Sequence, residues 1–248
     1  MAQNRVDFSL KERTAQLKRE KRYKKIIMAV ISLLLTLLVF VYVISVMYAK
    51  FGDFTISVNK YHYLQYGLTL SDTKDFSNPT ASLNCKASEL ITNIEGKSLD
   101  NLDLGAIDGN DSGDNYLCYT FYLKNAGEGT VTFEYSIVIV NMTLDIEKAV
   151  RLRLITKYND GETTKTDYAR ISSTKDEKGN FVPEPNTTPF REKNTIMWDT
   201  KEDFAPDDVM KYTVVMWLEG PDPECTDDII GGEFKIDMKF NIIGGAST

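Results

Sequence analysis

The sequence predicts an all-β domain that follows one N-terminal transmembrane helix. Three observations lead to this prediction. An uncharged run of twenty-four residues lies between Lys25 and Lys50, the later residues alternate between apolar and polar, and long helical periodicity is nearly absent from them. Because alternation with a period of two is typical of half-buried strands, we expect the domain to be an antiparallel two-sheet sandwich.

The uncharged run, residues 26–49, is long enough to cross a bilayer as a helix. A rise of about 1.5 Å per residue gives a length of roughly 36 Å, which exceeds the hydrocarbon thickness of about 30 Å. We therefore divide the chain into a tail at 1–25, a transmembrane helix at 26–49 and a β domain at 50–248. The lipid bilayer, contacted through residues 26–49, is the first predicted partner.

The distribution of charge predicts the orientation in the membrane. The first twenty-five residues contain nine Lys or Arg and three acidic residues, whereas the rest of the chain contains 20 basic and 33 acidic residues. Because basic flanks stay in the cytoplasm, we expect a single-pass cell-membrane protein with a cytoplasmic N-terminus and an extracellular C-terminal domain. The acidic domain would repel nucleic acid, so no nucleic-acid partner is expected.

A cleaved signal peptide is the alternative interpretation of the apolar run. The apolar region of a signal peptide spans only about 7–15 residues and ends at a site of small residues. The run here is longer, and the best candidate site, Met47–Ala49, places a bulky Met where a small residue is needed. The sequence therefore favours an uncleaved anchor.

Residues with high strand propensity recur in short runs after Lys50. The clearest run is Phe234–Ile242, where apolar side chains alternate with Lys, Asp and Asn, as in an antiparallel strand with one wet face. Further strands are predicted at Phe54–Tyr63, Tyr116–Leu123, Gly129–Val140, Ala149–Tyr158, Thr163–Arg170 and Met210–Leu218. This number of short strands favours a jelly-roll-like sandwich.

Three connecting segments carry further structural information. The glycines of Lys124–Gly129 suit a hairpin loop, so the strands on either side are expected to pair. Asn159–Gly161 predicts a second hairpin turn. The segment 172–194 contains three prolines among charged residues, which excludes a central strand and predicts a long mobile loop.

The residues that common hydrolases need are missing from this sequence. His62 is the only histidine and lies in a predicted strand without an HExxH context, so neither catalytic zinc nor a histidine-activated nucleophile is supported. Gly96–Ser98 resembles the end of a P-loop, but position 91 is Ile where that loop needs Gly. We therefore expect a protein that is not an enzyme.

Two acidic segments are candidates for binding calcium. The first has oxygen-bearing side chains at alternate positions followed by Gly113, as in a calcium loop, and its possible ligands are Asp108, Asn110, Ser112 and Asp114. Its twelfth position is Tyr119 where a bidentate Glu belongs, so an Asx-rich turn is the competing interpretation. The second segment, 219–228, contains five carboxylates and is more typical of a solvated loop. Calcium is the one cofactor that the sequence leaves open.

All three cysteines lie after the predicted helix. On the predicted topology Cys85, Cys118 and Cys225 face an oxidising compartment. Three cysteines allow one disulfide, which leaves one thiol without a disulfide partner. The sequence does not select among the three possible pairings. The remaining thiol is either an intermolecular link or a small buried apolar group.

The C-terminal part of the sequence resembles a known family. Tyr212–Cys225 reads YTVVMWLEGPDPEC and precedes the Gly-rich turn at 229–232 and the alternating strand. Together with FYLKNAGEGTVTFEY at Phe121–Tyr135, this stretch is similar to the TasA/camelysin family of surface and biofilm-matrix proteins from Gram-positive bacteria. The similarity is specific over 212–242 and is at the level of the fold elsewhere.

The resemblance implies a jelly-roll ectodomain and, as for some relatives, a subunit of extracellular fibres that passes an N-terminal strand to the next copy. The corresponding strand is Phe54–Tyr63, with Phe54, Ile56 and Val58 as the assembly residues. Relatives of that kind are released by a signal peptidase, whereas this chain has no convincing cleavage site. The metalloprotease activity described for the camelysin branch is not carried over, because no zinc motif is present.

These observations predict a membrane-anchored extracellular protein with a structural or adhesive role at the cell surface or in a biofilm matrix. It would act by self-association or by binding a matrix or envelope component. The alternative is a Ca²⁺-dependent module that binds a glycan or a protein through the two acidic segments.

Overall fold

The computed structural model describes residues 18, 19, 21–42, 53–87 and 91–245 of the chain. The chain divides into two compact units, Met1–Phe51 and Gly52–Thr248. The first unit contains helix α1, Lys21–Tyr42, which is long and apolar enough to cross a membrane. The helix begins before the predicted Ile26 because Lys and Arg are themselves good helix formers. Residues 43–49 of the predicted span lie outside the described residues.

The second unit is mostly β structure. Its strands are β1 Phe54–Val58, β2 Leu68–Ser71, β3 Ser82–Cys85, β4 Gly109–Asn110, β5 Tyr116–Asn125, β6 Val131–Met142, β7 Val150–Tyr158, β8 Thr163–Ala169, β9 Thr188–Pro189, β10 Thr195–Phe204, β11 Val209–Leu218 and β12 Phe234–Gly245. Its short helices are α2 Lys60–Tyr66 and α3 Gly96–Leu99, with single 3₁₀ turns at Ile146–Lys148 and Asp227–Ile229.

The strands form two sheets. Sheet A has the order β10-β6-β12-β1-β3, and sheet B has the order β2-β5-β11-β7-β8-β9 with β4 added beside β5. Two pairs are parallel, β1 with β12 and β8 with β9, and the other strand pairs are antiparallel. The sheets are therefore mixed, and the prediction of purely antiparallel sheets was wrong.

A single hydrophobic cluster draws buried side chains from both sheets, so the sheets pack face to face. At its centre the rings of Phe121 and Tyr212 from sheet B stack at 5.3 Å, and Phe240 from sheet A meets Tyr212 edge-on at 5.3 Å. Aromatic rings of this kind bury roughly 150–250 Å² each and dominate the energy of a core. The predicted mostly β, two-sheet character is confirmed, this shared core is compatible with a sandwich, and the jelly-roll topology stays a prediction.

The predicted hairpin around Lys124–Gly129 was wrong. The strands on either side of it, β5 and β6, belong to different sheets, so the loop crosses from one layer to the other. The buried Asn125 holds this crossing because its Nδ2 donates to the carbonyl oxygens of Gly129 and Phe204 at 2.9 Å each. The second predicted hairpin, at Asn159–Gly161, is confirmed by the antiparallel pairing of β7 with β8.

The predicted strand Phe54–Tyr63 ends early. The chain leaves the sheet after Val58 and forms α2, whose first turn is capped by the side chain of Asn59, which accepts a hydrogen bond from the Tyr61 amide. The helix ends at Gly67, which has a φ of +70°, and an added Cβ there would meet the Gly127 amide nitrogen at 2.6 Å. Local capping therefore overrides the strand propensity of the aromatic residues.

The sequence pattern also missed an edge strand, β10. Its pairing with β6 is interrupted by irregularities near both ends, so its buried residues include the neighbours Ile196 and Met197 and do not alternate. A broken period of two gives no strand signal in a sequence window.

Candidate functional site

Strand β1, which contains the predicted assembly residues, lies in the interior of sheet A. It pairs in parallel with β12 and in antiparallel register with β3. Phe54 and Ile56 are fully buried and Val58 is nearly so, whereas Thr55 and Ser57 lie on the outer face. β1 is the first strand among the described residues, and its three inward side chains complete the core.

Hydrogen bonds at both ends hold β1 in its place. At its start, Asp53 accepts hydrogen bonds from the amides of Ile236 and Ala87, both at 3.0 Å. Beyond its end, the Ile242 amide donates to Nδ1 of His62 on α2 at 3.0 Å. The only histidine of the chain therefore accepts a hydrogen bond from the backbone of β12, and it lies in a helix and not in the predicted strand.

Two of the four possible calcium ligands, Asp108 and Asn110, accept hydrogen bonds from within the domain. The carboxylate of Asp108 accepts hydrogen bonds from the Tyr122 hydroxyl at 2.5 Å and from the Lys74 amide at 3.0 Å. The side-chain oxygen of Asn110 accepts two hydrogen bonds from Ser112, and Asn110 itself belongs to β4. Asp114 is exposed. This arrangement favours the hydrogen-bonded turn over the calcium loop.

Asp108 instead fastens a crossing segment to sheet B. The segment 91–115 packs across the outer face of this sheet, where Leu99 is buried beside Val215 and Trp217. Burial, together with the carboxylate of Asp108, raises the pKa of Tyr122, so its hydroxyl stays protonated and donates. Asp108 therefore joins the segment to β5.

We expect Asp108→Ala to lower the melting temperature of the full chain in detergent equally with and without calcium. Loss of an exposed carboxylate acceptor costs on the order of 1 kcal/mol, or about 2–4 °C for a domain of this size. Tryptophan fluorescence reports the melting of the β unit, because Trp198 and Trp217 are the only two tryptophans.

Asp114→Ala is the matched control, and we expect it to leave the melting temperature unchanged. A rise in melting temperature with calcium that both variants abolish would restore the calcium loop.

A buried arginine joins the two loops that the sequence analysis treated separately. Arg151 on β7 and the side chain of Asp222 are almost fully buried and form an ion pair. The same Nη2 atom lies 3.0 Å from the Glu184 carboxylate in the segment 172–194, while Nη1 donates to the carbonyl oxygens of Lys148 and Val150 at 3.2 and 3.3 Å. Arg151 therefore ties the 172–194 segment and the 219–228 segment to the end of sheet B.

The segment 172–194 also has internal structure. The Ser172 amide donates to the Val182 carbonyl at 3.1 Å, the Asp176 amide donates to the Asn180 carbonyl at 2.8 Å, and β9 pairs with β8. Its predicted mobility stays a prediction, but Glu184, near the middle of the segment, forms an ion pair with Arg151 of the sheet.

Three carboxylates meet at this point and form the one candidate metal cluster found among the described residues. Oxygens of Glu184, Asp222 and Glu224 lie within 4.8 Å of one another. Arg151 already supplies a positive charge to two of them, which accounts for their approach without a cation. Because Arg151 and Glu184 lie far from the 219–228 segment in sequence, no local pattern could have revealed this cluster.

We expect Arg151→Met to destabilise the β unit by about 3–5 kcal/mol, because it leaves the buried Asp222 carboxylate without its partner. The measurement is urea unfolding followed by tryptophan fluorescence, together with limited proteolysis of the 172–194 segment, which should become faster.

Lys148→Met is the control, because Lys148 forms an exposed ion pair with Asp145 and such pairs contribute about 0–1 kcal/mol. Equal stability of the two variants would show that Arg151 does not join the loops.

All three cysteines are free thiols in the structure. Burial raises the pKa of Cys85 and of Cys118 to about 12, and burial also raises the pKa of the partly exposed Cys225. Because the thiolate is the reactive form, Cys85 and Cys118 are protected twice, by inaccessibility and by protonation. The predicted disulfide stays a prediction.

We expect maleimide at neutral pH to label Cys225 in the native protein, and to label Cys85 and Cys118 only after unfolding. Intact-mass spectrometry counts the labels. Three labels in the unfolded, unreduced protein would agree with the free thiols, whereas a single label would show that two cysteines form the disulfide.

No protein-family model, curated protein or solved structure matches this chain. The resemblance to the TasA/camelysin family therefore stays a prediction, and the geometry of the chain itself carries the functional argument.

Proposed function

We propose that this protein is a non-catalytic, membrane-anchored component of the cell surface, and that copies of it associate by exchanging β1. The observation that carries this proposal is the position of β1, the first described strand of the β unit, with neighbours on both sides and three buried side chains. If β1 leaves, β12 and β3 lose their shared partner and a groove opens over the core. The same strand from a second copy would fill that groove with the same contacts.

The N-terminal helix supports the anchoring part of the proposal. α1 is long and apolar enough to span a bilayer, and the basic residues that precede the apolar run favour a cytoplasmic N-terminus. On this topology the β unit is extracellular, where it contacts a matrix, an envelope component or its own copies. Cleavage after the helix would convert the anchored form into a released subunit.

The edge strand β10 offers a poor alternative route to association. Lys201, Glu202 and Asp203 lie near its end, Asp203 has a φ of +52°, and the pairing register shifts there. Charges and irregularities on an edge strand discourage the addition of another strand. Exchange of an interior strand avoids this obstacle.

The resemblance to the TasA/camelysin family and its jelly-roll fold supports the same proposal, since strand transfer is the assembly mode that it implies. A calcium-dependent module is the weaker alternative. The oxygens of Asp108 and Asn110 are engaged in internal hydrogen bonds, and Arg151 balances the second acidic segment.

Strand exchange can be detected by a disulfide between two chains. Thr55 on β1 and Asn84 on β3 are direct neighbours, with their side-chain oxygens 3.2 Å apart. Two differently tagged chains, one with Thr55→Cys and the other with Asn84→Cys, are co-expressed in a Cys225→Ser background. We expect a disulfide-linked dimer that carries both tags, is lost on reduction and fractionates with the membrane.

The control pair is Thr156→Cys and Thr164→Cys on β7 and β8, whose hydroxyl oxygens lie 2.6 Å apart but whose strands are not exchanged. This pair should give no mixed dimer. A mixed dimer in the medium would favour the cleaved form, and the absence of any mixed dimer would contradict exchange of β1.

A further inference from the structure

We propose that the outer face of sheet A binds a neutral polysaccharide and that Trp198 is its stacking residue. The inference rests on the proposed function in one respect: it takes the β unit to lie at the cell surface, where it meets the ligand. It does not require exchange of β1. It names the chemical class of the envelope or matrix component that the domain would hold.

The two outer faces of the domain differ. The outer face of sheet B is covered by the segment 91–115, which buries Leu99 and Trp217. Of the buried hydrophobic clusters that the structure describes, none lies on the outer face of sheet A. The outward residues of β6, β12 and β1 are partly or fully exposed. Sheet A therefore presents a largely polar outer face that the described residues leave uncovered.

A single row of side chains crosses all five strands of this face. The pairing register places Trp198, Ser136, Lys239, Ser57 and Ser82 side by side. Four strand spacings of about 4.8 Å make the row roughly 19 Å long. Its three serines are small, so the row forms a shallow track of hydroxyl groups that begins at an indole ring and contains one ammonium group. An extended oligosaccharide has matching length and chemistry.

The indole stands at one end of the row beside a guanidinium group. Trp198 is 41% exposed, and the guanidinium of Arg191 lies 4.6 Å from the centre of its ring. Arg191 is itself held because its amide donates to the Ile196 carbonyl at 3.1 Å. A depression of about 310 Å³ beside the ring is lined by Ser136, Val138, Arg191, Glu192, Thr195 and Trp198. Its volume is at the lower end of the range of about 300–1,000 Å³ for ligand sites.

This set of groups suits a sugar ring. The C–H face of a pyranose can pack on an exposed aromatic ring, as other apolar surfaces do. The hydroxyls around that ring can be met by a carboxylate acceptor in Glu192, by guanidinium donors in Arg191 and by the hydroxyls of Ser136 and Thr195. Charged hydrogen-bonding groups beside a sugar ring give both orientation and specificity.

The charges on the face favour a neutral polymer. Lys239 lies 3.9 Å from Asp237, and Arg191 is followed by Glu192, so positive and negative groups alternate. The chain after the basic tail carries 20 basic and 33 acidic residues, which disfavours a polyanion. A protein interface would have an apolar core with several aromatic residues, whereas the outward apolar residues of β6 and β12 beside Trp198 are aliphatic, Val138 and Val140, among polar and charged side chains.

The experiment is affinity electrophoresis and fluorescence titration of the full chain in detergent, with dextran, mannan and cellohexaose as neutral probes. We expect at least one probe to bind, and we expect Trp198→Ala to weaken that binding at least tenfold. Trp198→Tyr should retain most of the affinity, because it keeps an aromatic face. Trp217, which is buried, reports whether each variant is folded.

Phe181→Ala is the matched control, because Phe181 is also exposed and carries Lys175 at 4.8 Å from its ring, but it lies in the 172–194 segment. It should change the affinity by less than twofold. Trp198→Ala should leave the mixed disulfide-linked dimer of the strand-exchange experiment unchanged, because Trp198 lies on β10 and not beside β1, and this separates the inference from strand exchange.

Any of the following results would overturn the inference: no binding of any neutral probe, binding that Trp198→Ala leaves unchanged, or steeply salt-dependent binding of polyphosphate or alginate alone. The last result would point to a polyanion ligand. Binding of a protein partner that competes at Trp198, without any neutral glycan, would also contradict it.

Discussion

The structure depends on the pairing of β1 between β12 and β3. This short strand supplies Phe54, Ile56 and Val58 to the core and links β3 to the rest of sheet A. Phe54 meets Tyr119 and Phe121 of sheet B at ring distances of 6.2 and 6.3 Å, so the strand also joins the two layers. Because β12, β3 and the core all depend on contacts with β1, a strand must fill this position, either the chain's own β1 or an equivalent strand.

Two buried arginines on the outer face of sheet B hold neighbouring segments against it. Arg151 and Arg153 are two residues apart on β7, so they lie on the same face, and each binds two carboxylates: Arg151 binds Glu184 and Asp222 from loops, and Arg153 binds Asp167 on β8 and Asp100 from the segment 91–115. Arg153 makes a bidentate pair with Asp167 and reaches Asp100, and it lies 5.5 Å from the ring of Trp217. A paired arginine buried against an aromatic ring holds loops in place without a disulfide or a metal ion.

Because the outer faces of the two sheets differ, the two proposed functions would use different parts of the fold. The segment 91–115 packs on the outer face of sheet B, β1 lies in the interior of sheet A, and Trp198 is exposed on the outer face of sheet A. The proposed strand exchange would use the backbone pairing and buried side chains of β1, and an exchanged β1 would present the same outward Ser57. The proposed glycan binding would use outward side chains around Trp198, so the two proposals depend on different groups.

The sequence by itself determined the apolar N-terminal helix, the β character of the second unit and most of its strands, because each follows from a local period of hydrophobicity. It also identified β1, and the Asn159–Gly161 turn, from local residue types.

Tertiary structure decided which strands pair. The glycines after β5 would suit a hairpin, but the buried Asn125 directs the chain into the other sheet. Likewise Asp108 has the spacing of a calcium ligand but meets Tyr122, and Arg151 meets Glu184 and Asp222 from distant segments. Such contacts join residues that are far apart in the chain, so local periodicity and motif spacing cannot predict them.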